Sequence, residues 1–101
     1  NYAYVIYNRA LYEDRLFLKK RLDGTTDPDL QKNALADYKE AIESNKLSLI
    51  TSNQAKVRYN MLAGDDPNIK KYSTSPASAT DILSVLSQLS GVTNDDSDDD
   101  A

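Results

Sequence analysis

The sequence predicts an all-α protein: an antiparallel helical hairpin with one long arm, a short third helix and a disordered acidic C-terminal tail. Apolar residues recur at helical spacing over long stretches, and Gly and Pro occur only where helices could end or turn. The last residues are almost entirely polar, with five Asp between 95 and 100. We assign residues 1–91 to the hairpin and third helix, with a linker over 65–79, and residues 92–101 to the tail.

The first predicted helix covers Tyr2 to Leu22. At about 100° per residue its main apolar residues fall within one narrow arc, as in an amphipathic helix. Asp23 and Gly24 follow directly. Glycine adopts the left-handed cap conformation without steric cost, so this pair predicts the end of the helix.

The second helix is predicted to begin at Pro28. Asp27 is a favourable N-cap, proline is tolerated at the first helical position, and Asp29 is favourable beside the positive helix end. Because only a few residues separate the two helices, we expect an antiparallel hairpin.

Two apolar stripes run along the predicted second helix. The first has the spacing of a coiled-coil seam and comprises Leu35, Tyr38, Ile42, Asn45 and Leu49. The second points more than about 100° around the helix from the first, and comprises Leu47, Ile50, Val57 and Met61.

This shift between stripes has two interpretations. The helix could break near Ser44 to Lys46, with Thr51, Ser52 or Asn53 capping a new helix. Alternatively, one helix runs from Pro28 to Ala63, and its second half overhangs the shorter first helix. The absence of Gly and Pro before Gly64 favours the continuous helix.

A short third helix is predicted near the C-terminus, between a cap at Thr80 or Asp81 and Gly91. About ten residues do not form a stable helix alone, so this segment must pack on another surface. The second stripe is the nearest candidate. The predicted interface residues are Leu47, Ile50, Val57 and Met61 on the long helix, and Ile82, Val85, Leu86 and Leu89 on the short one.

Polar residues interrupt the predicted seam between the hairpin helices. Asp14 falls between Leu11 and Leu18, and a register that pairs Leu22 with Leu30 brings it level with Tyr38. Polar pairs in a seam fix register at some cost in stability. We therefore predict that two pairs set the register, Asp14 with Tyr38 and Tyr7 with Asn45.

The composition argues against catalysis. The chain has no Cys and no His, which removes the thiol nucleophile, the thiolate ligand and the commonest general base. Asp37, Glu40 and Glu43 recur at i, i+3 spacing and could contribute oxygen ligands, but a solvated helix face explains them more simply. We predict no enzyme activity, no cofactor and no metal site.

Charge gives little support for nucleic-acid binding. A basic cluster near the hairpin loop, with two lysines in the linker, could contact phosphates, and Tyr12 and Tyr72 could stack on bases. However, the net charge is −4 and the tail would compete for the cluster. The cluster, with the linker lysines, comprises Arg15, Lys19, Lys20, Arg21, Lys70 and Lys71.

The expected partner is another protein chain. No apolar run approaches the roughly 20 residues of a membrane span. With no catalytic motif and an apolar stripe that needs a partner, the sequence favours a non-enzymatic structural or interaction subunit that forms an oligomer or hetero-complex. A small, Tyr-rich helical subunit suits a virion or other large assembly. The alternative is a regulatory adaptor that binds a basic or nucleic-acid-binding partner through its acidic tail.

Overall fold

The computed structural model of the protein describes residues 1–74. These residues form three helices and no strand: α1 (Tyr2–Leu22), α2 (Pro28–Glu43) and α3 (Leu49–Ala63). The all-α fold class is confirmed. The third helix predicted between the cap at Thr80 or Asp81 and Gly91, and the acidic tail, lie outside the described residues.

In the hairpin, α1 has the predicted bounds, and α2 begins at the predicted residue with the predicted cap. Gly24, just past the end of α1, has a φ of 89°, the left-handed conformation that favours glycine. The Asp27 side chain accepts a hydrogen bond from the backbone N–H of Leu30 at 3.1 Å, and Pro28 is the first residue of α2. Lys20 also forms an ion pair with Asp27 at 2.8 Å, which closes the loop between the helices.

The predicted long arm is wrong, because α2 ends at Glu43 and α3 begins at Leu49. Asn45 has a φ of 60° and stops α2 without a glycine; asparagine is one of the few residues that tolerate this left-handed conformation. Ser48, before the predicted positions, caps α3 and accepts a hydrogen bond from the N–H of Thr51 at 3.1 Å. The interpretation with a break near Ser44 is therefore the correct one.

Tertiary contacts hold this break in place. The Asn1 side chain donates a hydrogen bond to the carbonyl of Lys46 at 2.8 Å, and the N–H of Ser48 donates to the hydroxyl of Tyr4 at 2.8 Å. Both contacts connect the turn to the beginning of α1. A continuous helix would have left its second half without a partner, whereas the turn folds α3 back onto the hairpin.

The three helices run up, down and up. Tyr4 and Ser48 are 44 residues apart, as are Asp14 and Arg58, so α3 runs parallel to α1. The hydrogen bond from Gln31 to the carbonyl of Leu62, at 2.8 Å, ties the start of α2 to the end of α3.

The core lies between the three helices and combines aromatic rings with small residues. Fully buried alanines on each helix let the backbones approach closely. Ile69 and Tyr72, which follow α3, pack against the same core. The buried core residues are Ile6, Tyr7, Ala10, Leu11, Phe17, Ala34, Tyr38, Ala41, Ile42, Ala55, Tyr59 and Leu62.

The order of stability among Asn45 variants tests the break between α2 and α3. In the broken arrangement, Asn45→Gly should keep or raise the free energy of unfolding, because glycine adopts a positive φ freely. Asn45→Ala should lower it by about 1 kcal/mol, the cost of a left-handed alanine. Urea unfolding of the two variants measures this order.

A continuous helix predicts the opposite order, since alanine is the best helix former and glycine among the worst. An Asn45→Ala variant more stable than Asn45→Gly would therefore contradict the break. Asn33, exposed inside α2, provides the matched control, where alanine should be more stable than glycine.

Candidate functional site

The most deeply buried polar residues form one cluster at the centre of the bundle. Asp14 of α1 and Tyr38 of α2 are 0% exposed, and Arg58 of α3 is 5% exposed. The Tyr38 hydroxyl donates to Asp14 Oδ2 at 2.6 Å. Arg58 donates from Nε to Oδ2 at 2.9 Å and from Nη2 to Oδ1 at 2.7 Å. Each helix thus contributes one member of this central cluster.

The paired geometry explains how a charge can be buried here. A guanidinium that meets a carboxylate with two parallel N–H groups forms one of the stronger charge-assisted arrangements in proteins. Burial works against the charged form of Arg58, but the hydrogen bond and charge of Asp14 outweigh it and raise the pKa of Arg58. Burial, followed by the charge of Asp14, also raises the pKa of Tyr38, so its hydroxyl stays protonated and donates.

The central cluster suits a structural role more than a chemical one. Tyr38 and two nitrogens of Arg58 donate to Asp14. The remaining terminal nitrogen of Arg58 donates to the Met61 sulfur at 3.4 Å, and the three side chains of the cluster are shielded from solvent. A general base or nucleophile needs a lone pair directed at a substrate, and the Asp14 oxygens already accept three hydrogen bonds from Tyr38 and Arg58.

The predicted polar pairs have different outcomes. The structure brings Asp14 and Tyr38 together, as the register predicted. It does not place Asn45 in a seam, because Asn45 lies exposed in the turn after α2. Tyr7 is buried instead against the Tyr38 ring, with centroids 6.2 Å apart.

The third member of the central cluster, Arg58, was not predicted from the sequence. Arginine is rarely buried unless it is paired, and the stripe predicted for this part of the chain ran through Val57 and Met61. Two signals could have identified it. Arg58 is in helical phase with Ala55 and Leu62, and the seam carboxylate Asp14 required a cation.

A second ionic group lies between α1 and α2, nearer the surface. Arg9 donates from Nε and from a terminal nitrogen to the two oxygens of Asp37, both at 2.8 Å. Burial opposes the charged form of Asp37, but the hydrogen bonds from Arg9 and Glu13 outweigh it and lower the pKa of Asp37. Burial, followed by the hydrogen bond and charge of Asp37, raises the pKa of Glu13 to about 7.

The carboxylates at i, i+3 spacing do not share the solvated face predicted for them. Asp37 is buried against Arg9, whereas Glu40 and Glu43 are exposed. Within residues 1–74, no three acidic side chains come close enough to hold a metal ion.

Much of the predicted basic cluster makes contacts within the chain. Lys20 pairs with Asp27, and the Arg21 guanidinium lies 5.8 Å from the centre of the Phe17 ring. In the linker, the Tyr72 ring packs edge-on against Tyr59, with centroids 5.0 Å apart. Lys39, Lys70 and Lys71 do line a groove beside these rings.

The predicted interface residues separate into three groups. Leu47 packs partly buried against the core, and Val57 is half-buried. Ile50 and Met61 are 69% and 56% exposed. The remaining candidates lie outside the described residues: Ile82, Val85, Leu86 and Leu89.

Additional exposed apolar residues lie on α1. Tyr2, Val5 and Tyr12 are 70%, 59% and 63% exposed. Their spacing of three and seven residues places them within an arc of about 80° on the helix, and we call them the α1 outer stripe. They lie outside the buried core and outside the set of half-buried apolar residues that pack against it.

Comparisons of the chain with protein-family models, with curated proteins and with solved structures find no match. Across residues 1–74, no helix combines the length and the apolar character needed to cross a membrane. Fold and site thus define an all-α bundle whose polar core is occupied by its own ionic groups.

Removing the cation from the central cluster should strongly destabilise the fold. Arg58→Met should lower the free energy of unfolding by about 3–5 kcal/mol, because it leaves Asp14 buried without its charge partner. Lys56→Met, a similar change at a half-buried position of α3, should change it by less than about 1 kcal/mol. Chemical denaturation at low temperature measures both.

Replacing all three residues of the central cluster distinguishes the cost of an unpaired buried charge from the cost of lost packing in the free energy of unfolding. The triple variant Asp14→Leu, Tyr38→Phe, Arg58→Met should be more stable than Arg58→Met alone, because no buried charge remains. A triple variant less stable than the single variant would contradict this account.

The Glu13 carboxyl predicts a pH dependence. Its pKa is higher in the folded chain, about 7 against 4.5 for the free group, so the folded state binds this proton more tightly. The stabilisation is complete below about pH 4.5 and is lost as the pH rises through about 7. Asp37, whose pKa is lowered, loses its contribution only at more acidic pH.

The urea concentration at the unfolding midpoint should therefore decrease as the pH is raised from 5 to 8. In Glu13→Gln this decrease should be smaller. Glu40→Gln, the same substitution at an exposed position of α2, should leave it in place. Equal pH dependence in the wild type and Glu13→Gln would show that another group is responsible.

Proposed function

We propose that this protein is a non-enzymatic helical assembly subunit that binds another protein chain, in the first instance a copy of itself, through the α1 outer stripe. The observation that carries the proposal is that α1 is apolar on two opposite faces. One face, centred on Ala3, Tyr7 and Ala10, is buried in the core. The other, about 150° around the helix by the same angular spacing, exposes the outer stripe.

Single exposed apolar residues are ordinary, but a row of them along one helix face is the usual mark of a binding surface. The composition of the stripe suits this role, since Tyr is enriched in protein interfaces and loses little conformational freedom there. Leu16, half-buried and in phase with Tyr2, Val5 and Tyr12, extends the row along the helix.

The polar groups around the stripe fit an interface rim. Arg9 lies in the same arc, and its side chain is 53% exposed although it binds Asp37. A ridge of apolar side chains with a fixed guanidinium beside it offers a surface onto which a second helix can pack. A virion or another large complex is the setting that such a subunit suits.

The proposal is tested by measuring molar mass at several concentrations with the full chain. The wild type should gain mass with concentration, and Val5→Lys and Tyr12→Lys should each weaken association about tenfold or more, as at interface hot spots. Lysine preserves helix propensity, so circular dichroism should show unchanged helix content.

Asn33→Lys adds the same charge at an exposed position of α2 and should leave association intact, as should deletion of residues 94–101. A wild type that stays monomeric at every concentration would contradict self-assembly. Loss of association only in the deletion variant would instead support an adaptor that acts through its acidic tail.

A further inference from the structure

A second apolar surface lies on α3, away from the core. Ile50 and Met61 are largely exposed and Val57 is half-buried. At the angular spacing of a helix these three side chains fall within an arc of about 40°, and we call them the α3 outer stripe. The face that α3 packs against the hairpin is a different one, centred on Ala55, Arg58 and Leu62.

The chain is anchored beside this stripe after it leaves α3. The N–H of Tyr72 donates to Asn60 Oδ1 at 2.8 Å, and Asn60 Nδ2 donates to the carbonyl of Tyr72 at 2.9 Å. The Tyr72 ring packs edge-on against Tyr59. Since Asn60 directly precedes Met61, the chain beyond Tyr72 starts at one end of the α3 outer stripe.

The remaining sequence contains a segment of matching character that is short enough to fit along the stripe. Residues 81–90 carry four apolar side chains at helical spacing, and as a helix the stretch from the first of these to the last would be about 10 Å long. The α3 outer stripe extends about 16 Å from Ile50 to Met61. Between Tyr72 and Asp81, residues 73–80 can span up to about 26 Å, so the segment can reach the whole stripe. Its apolar residues are Ile82, Val85, Leu86 and Leu89.

We propose that residues 81–90 dock on the α3 outer stripe of the same chain and form a fourth helix of the bundle. A helix this short is unstable in water unless it buries its apolar face. The anchor at Asn60 keeps the segment near the stripe at an effective concentration in the millimolar range, as for other short linkers. Docking within one chain is therefore favoured over docking between chains. This inference does not depend on the proposed function, which uses the α1 outer stripe.

Met61 provides a direct probe because it is the one methionine in the sequence. Oxidation of methionine by peroxide follows exposure of its sulfur atom. In the full chain, Leu86→Asp should release the segment and speed oxidation of Met61 about threefold or more, which mass spectrometry measures as added oxygen. Gln88→Asp introduces the same charge off the apolar face and should leave the rate unchanged.

The reciprocal variant changes the stripe. Ile50→Asp should raise amide hydrogen exchange in residues 82–89 to the rate of an unstructured chain. Leu49→Asp is the matched control: Leu49 is 89% exposed, lies about 100° from Ile50 around the helix, and should leave protection unchanged. Because both positions lie in the first turn of α3, where aspartate is favourable, neither variant should unfold the helix.

Equal oxidation rates in the wild type and Leu86→Asp, or absence of protection in residues 82–89 of the wild type, would overturn the proposal. Protection that disappears on dilution would also overturn it, since it would show docking between chains. Val5→Lys should leave both readouts unchanged, so that failure of this inference is distinguishable from failure of assembly through α1.

Discussion

The buried ion pair between Asp14 and Arg58 is the interaction on which the rest of the described structure depends. A carboxylate in the middle of α1 can be buried only if a cation reaches it, and the cation is supplied by α3. For Arg58 to lie beside Asp14, α3 must run parallel to α1, and the chain must turn back after α2. The turn at Asn45, the cap at Ser48 and the direction of α3 all meet this one requirement.

The same constraint determines which surfaces remain exposed. When α3 presents Arg58 to the hairpin, its more apolar side, with Ile50 and Met61, stays largely exposed beside the core, and the Met61 sulfur accepts a hydrogen bond from Arg58 at 3.4 Å. If the faces of α3 were ranked by hydrophobicity alone, the face with Ile50 and Met61 would be predicted to be buried. Burial of the Asp14–Arg58 ion pair therefore leaves the α3 outer stripe largely exposed to solvent. This exposed apolar surface is the reason to expect further contacts along α3.

The proposed function depends on the surface of the bundle. Within residues 1–74, two buried carboxylates are engaged by neighbouring side chains: Asp14 by Tyr38 and Arg58, and Asp37 by Arg9. The α1 outer stripe has no such internal use. The exposed tyrosines along the first helix are therefore the basis of the proposal that this bundle binds another chain.

Sequence signals were sufficient to predict the bounds of α1, the start of α2 and the pairing of Asp14 with Tyr38. These depend on local signals, such as a glycine cap, an aspartate and proline pair, and a short loop that fixes the register. The break between α2 and α3 and the burial of Arg58 were decided only by the tertiary structure. No Gly or Pro marks that break, and local propensities there differ little between helix and turn. Contacts between residues more than 40 positions apart stabilise the turn over a continuous helix. The free energy of such contacts cannot be estimated from a local sequence pattern.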